Sequence, residues 1–158
     1  MRTVAGVVED PRSGGDVVPL DELRLLRDLR DILRSAVELQ SPAAQVIDAC
    51  MEPGGKTAEL ARLGGSVTSG YFQLRERLRG FPPSPLVDEI AALLNYHQQM
   101  VEQALLFGYR GFEEGRERIL RGWSGRLGHP AKRLRELYAQ VRRQLAEPRA
   151  TPTPKSRS

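Results

Sequence analysis

His97 is the residue best placed to do chemistry. It stands in an apolar run, with Tyr96 before it and Glu102 five residues after it. A haem or di-iron bundle takes such a histidine, but the repeated Glu-x-x-His of carboxylate-bridged bundles is absent from this chain. Asp88 and Glu89 precede His97 by nine and eight residues, so at helical spacing only Glu89 keeps roughly its face. Two histidines and one cysteine supply a metal site poorly. The expectation is therefore a core or interface histidine, hydrogen-bonded by a neighbour. His129, between Gly128 and Pro130, suits a cap or a turn.

The other reactive types are as sparse. Cys50 has no second cysteine to pair with, and its company of Val46, Ile47 and Met51 predicts a small, reduced core residue. Gly54-Gly55-Lys56-Thr57 has the ending of a phosphate-binding loop. The first glycine of that pattern would fall at residue 50, which is Cys50, and a helix rather than a strand precedes it. No catalytic set, cofactor site or metal site is assigned, and the chain is not expected to be an enzyme.

What must position these residues is helical. Leu26, Leu29, Leu33 and Ala36 recur at steps of three and four, widened by Leu25, Ile32 and Leu39, behind Asp21 as an N-cap. Ser41-Pro42 predicts a restart, with a short second helix ending at Pro53-Gly54-Gly55. Leu60, Leu63, Val67, Tyr71, Leu74 and Leu78 make a third period. Gly64, Gly65 and Gly70 interrupt it, each costing about 1 kcal/mol relative to Ala. Either the helix breaks there or the small residues admit a close neighbour; one continuous helix is the reading taken.

Pro82-Pro83-Ser84-Pro85 punctuates the chain, and Leu86–Phe107 then runs without Gly or Pro. Val87, Ile90, Leu94, His97, Val101 and Ala104 form one seam, and Leu86, Leu93, Met100 and Phe107 a second beside it. A helix this apolar is covered on several sides, or forms an interface. Phe112, Ile119, Trp123 and Leu127 mark a further helix closed by Gly128. Pro130 opens the last, which carries Leu134, Leu137, Tyr138, Val141 and Leu145. The reading is an all-α compact bundle of five or six helices spanning 19–146. A flexible leader (1–18) and a disordered basic, Pro-rich tail (147–158) flank it.

Charge is distributed unevenly along this framework. Residues 1–109 carry 11 Lys and Arg against 15 Asp and Glu, whereas 110–158 carry 13 against 5. Arginine supplies 21 of the 24 basic residues, which GC-rich coding alone would produce, but coding bias would not separate the two parts of the chain. Arg116, Arg118, Arg121, Lys132, Arg133, Arg135, Arg142 and Arg143 are the candidates for polyanion contact. No apolar stretch reaches the roughly 18 residues of a membrane span, and Val4–Val8 is too short for a signal-peptide core. A cytoplasmic location away from membranes is expected.

Leu23-Arg24 followed by Asp28 and Asp31 resembles the start of the helical chorismate mutases, in which an Arg early in the first helix meets a substrate carboxylate. The likeness is short. Arg27 and Arg30 stand where that pattern takes apolar residues, and no matching Lys-bearing segment follows, so it assigns nothing.

Two functions remain. The first is a non-enzymatic helical interaction protein that self-associates or docks a protein partner. It would use Leu86, Leu93, His97, Met100 and Phe107 at or beside the interface. The alternative is a nucleic-acid-binding subunit of a nucleoprotein complex, working through the basic face of the last helix. In size, helicity and basic balance the chain is similar to the small all-helical subunits of RNA-guided complexes, though no nucleic-acid-binding motif is visible.

Overall fold

The leucine period of the first segment winds into α1 (Leu20–Glu38) and buries Leu29, Ile32, Leu33 and Ala36. The computed structural model describes residues 20–52, 54, 56–110 and 127–147. Within them follow α2 (Gln40–Met51), α3 (Ala58–Leu78), α4 (Pro85–Arg110) and α5 (Gly128–Ala146). All regular structure among the described residues is α-helix, so the chain is an all-α bundle, with five helices among the described residues. The leader, the tail beyond Glu147 and the helix expected around Phe112, Ile119 and Trp123 lie outside the described residues.

The boundaries follow local chemistry, with some corrections. Asp21 lies inside the first turn of α1 rather than capping it, where its charge still complements the exposed N–H groups. The restart comes at Leu39, one residue before Gln40, so Pro42 sits in the first turn of α2. Leu39 itself keeps a helical backbone, and its N–H still reaches the Ser35 carbonyl at 3.1 Å. Pro42 has no N–H for the carbonyl four residues back, and this is where the ladder is interrupted. α5 begins at Gly128, two residues before Pro130, the expected opening.

Lys56 and Thr57 explain the next junction. The Lys56 ammonium donates to the carbonyls of Ala49, at 2.6 Å, and Gly54, at 3.3 Å, and also to that of Glu52. It thereby covers the electron-rich C-terminal end of α2. Gly54 has φ of 76°, a conformation that disfavours any side chain. Thr57 then accepts the Leu60 N–H at 3.1 Å and caps α3. Gly54, Lys56 and Thr57 therefore serve a helix-to-helix joint.

α3 is continuous through its glycines. A Cβ on Gly64 would lie 2.6 Å from a Leu105 methyl, and one on Gly70 would lie 2.9 Å from a Leu39 methyl. The small residues thus admit side chains from α4 and from the α1–α2 joint. Ser84 caps α4 through the Val87 N–H at 3.1 Å. α4 packs against α3, α2 and α5, while α1 lies mainly against α5. Ile90, Leu94, His97, Val101 and Ala104 are buried, so the expected seam is the line along which α4 meets its neighbours.

Candidate functional site

The buried polar cluster at the bundle centre takes a residue from every helix. On α4, His97 is 0 % exposed, and its Nδ1 lies 2.7 Å from the Leu93 carbonyl one turn back. A carbonyl accepts only, so Nδ1 carries the proton and Nε2 presents a lone pair. The Gln40 amide of α2 supplies the matching donor, with its Nε2 3.5 Å from His97 Nε2 and 3.1 Å from the Ala131 carbonyl of α5. Gln40 Oε1 accepts from the Arg135 guanidinium at 3.0 Å. The Tyr71 ring of α3 stands 5.3 Å from the imidazole, and its hydroxyl donates to the Ala36 carbonyl of α1 at 3.2 Å.

Electrostatics agrees with this arrangement. Burial is the largest influence on His97 and lowers its pKa; the Leu93 hydrogen bond opposes it, and the Arg135 charge adds a smaller lowering. Burial likewise pushes the Tyr71 phenol above its ordinary range. Tyr96 meets His97 edge-on at 6.1 Å, whereas Glu102 is exposed and accepts from Gln98 at 2.9 Å. Tyr96, His97 and Glu102 are therefore not brought together as a site. Gln40 was missed by sequence reasoning. Its one signal is a polar residue at a buried phase between Ala36 and Ala43.

Most of the basic candidates on α5 have intramolecular partners. Arg133 grips Glu89 of α4 with two hydrogen bonds, one from Nε and one of 3.1 Å, and lies 3.5 Å from Glu136. That grip holds the Glu89 carboxyl below its ordinary range. Arg135 is committed to Gln40, and the Arg142 guanidinium lies 5.5 Å from the Tyr138 ring centre. Lys132 is 3.9 Å from Glu136, and Arg143 is exposed. Arg116, Arg118 and Arg121 lie outside the described residues. Arg135 and Arg142 do share a side of α5, but Arg135, though exposed, is engaged with Gln40.

The second stripe of α4 is largely covered within the chain. Met100 is buried, as is the interface candidate His97 of the first seam, and Leu86 and Leu93 are half-buried against the core. Phe107 is also half-buried. A more open apolar surface lies on the α3 side of α4. Phe72 is 49 % exposed and stands between two depressions. One, of about 280 Å³, includes Leu78, Phe81, Val87 and Ala91 with Arg75, Glu76, Arg79 and Asp88. The other, of about 530 Å³, is shallower and includes Gly65, Thr68, Ser69 and Leu105.

Among the described residues no three of His, Cys, Asp and Glu are grouped to hold a metal ion. None of the described helices is long and apolar enough to cross a membrane. Comparisons with family models, curated proteins and solved structures find no match to this chain.

Proposed function

We propose that this chain is a non-enzymatic helical interaction module that pairs with a second copy of itself through the α3–α4 face. The observation that carries the reading is Phe72, a half-exposed aromatic knob directly beside the 280 Å³ depression. A knob and a hole on one face are what a two-fold contact requires, since each copy then fills the other. Charge supports the same occupant. The depression carries Arg75, which also reaches Gln98, and Arg79, which lies 3.4 Å from Glu76, together with Asp88, so the face offers both signs to a two-fold copy of itself. From Val87 to Leu105 the face follows 19 residues of α4, about 27 Å at helical rise.

Less supports a polyanion-binding role, because Arg133, Arg135 and Arg142 already serve Glu89, Gln40 and Tyr138. The test is light scattering of the full chain across a concentration series, beside the Phe72→Glu variant. A dimer is expected for the wild type, and a monomer of unchanged helical circular dichroism for the variant. A wild type that stays monomeric at the highest concentration, or a variant that still pairs, overturns the reading.

A further inference from the structure

The cluster around His97 can satisfy all its hydrogen bonds in one protonation state and no other. With the imidazole neutral, the Gln40 amide donates to His97 and to Ala131 while its oxygen receives Arg135. A second ring proton would turn Nε2 into a donor facing the Gln40 N–H group. Flipping the amide does not help. The flipped oxygen would face the Ala131 carbonyl, and the flipped N–H group would face the Arg135 guanidinium. We propose that His97 and Gln40 form an acid-sensitive latch that holds the first half of α5 against α2 and α4.

The surroundings give protonation nothing to relieve it. α5 presents the Arg135 cation, α3 the Tyr71 phenol, and α2 the uncharged Gln40; Tyr96 is the titratable neighbour on α4 itself. No carboxylate among the described residues contributes to the balance at His97. The cluster also has an exit. It runs from the fully buried imidazole through Gln40 to Arg135, a residue at the surface of α5. Loss of the Gln40 contacts frees Ala131 and Arg135 together, one helical turn of α5. The tie from Arg133 to Glu89, in that same turn, is built from groups that do not change charge in this pH range, so it keeps α5 on α4 while the hold on α2 loosens.

Native-state hydrogen exchange of the full chain at pH 7.5, 6.5 and 5.5 tests the latch. Protection factors for residues 132–138 should fall below pH 6.5, by up to tenfold per pH unit, the limit for one proton. Their exchange should depend weakly on low urea concentrations, as local openings do. A urea slope equal to that of α3 would mean whole-domain unfolding and overturn the latch. His97→Gln, which keeps an acceptor that does not titrate, should abolish the acid response, and His129→Gln should retain it. Arg135→Met is the second variant, should His97→Gln not fold, and it should shrink the response by removing the nearby cation. Protection that stays constant to pH 5.5 in the wild type, or a full response in His97→Gln or in Arg135→Met, overturns the proposal.

Discussion

At the scale of single residues, acid should destabilise the domain in two separate steps. His97 binds a proton less readily folded than unfolded, so the unfolded chain gains protons first as pH falls below about 6.5. Its contribution is present above that value and lost progressively beneath it, at a limiting slope of about 1.4 kcal/mol per pH unit. Glu89, depressed chiefly by its hydrogen bonds to Arg133, contributes above its ordinary value of 4.5 and loses that contribution as pH falls through its depressed value. Urea midpoints measured from pH 8 to pH 3 should therefore show an upper step that disappears in His97→Gln and a lower step that disappears in Glu89→Gln. His97 as a hydrogen-bonded core residue was legible from its place in an apolar seam. Gln40 and Arg135 were not, because their pairing joins positions 95 residues apart and polarity carries no record of a distant partner.

At the scale of elements, α3 separates two uses of glycine. A Cβ on Gly65 meets nothing within 4 Å, whereas one on Gly64 meets Leu105. Gly65→Ala should stabilise by roughly 0.5–1 kcal/mol through backbone entropy alone. Gly64→Ala must displace Leu105 and should come out less stable than Gly65→Ala; thermal melts of the pair decide it, and equal melts would contradict the contact. On α4, Leu94 is fully buried, and Leu94→Ala should cost about 2–5 kcal/mol in urea unfolding. The α4 seam was legible because 3.6-residue periodicity and freedom from Gly and Pro persist over six turns. The break at Leu39 was misplaced by two residues, since the Pro42 ring blocks a bond to a carbonyl upstream of itself.

At the scale of the whole molecule, covering one stripe of α4 and leaving the α3–α4 face open changes which substitution reports on assembly. Met100 is 7 % exposed, so Met100→Glu buries a charge and should abolish helicity along with any assembly. Phe72→Glu places its charge in water and should leave the fold intact while removing the dimer. Circular dichroism beside light scattering on both variants separates the two effects. The lopsided charge was legible as composition, but its use was not. Sequence shows that α5 is basic; only the packing shows Arg133 bound to Glu89 and Arg135 to Gln40.

The pairing of α1 with α5 has a topological consequence. Arg34 reaches Tyr138, while Gln40, just past the end of α1, reaches Ala131, so the two helices run in opposite directions. Leu20 and Ala146 consequently lie toward the same end of the bundle. The order in which the helices are strung is then separable from the way they are packed. A chain tied from α5 back to α1 by a short linker, and reopened at the exposed Pro82-Pro83 joint, would retain every helix pairing found here. Such a permuted chain would make the α1–α5 contact one between adjacent helices, but it would make the more extensive α3–α4 contact the most distant in sequence, and so should fold no faster.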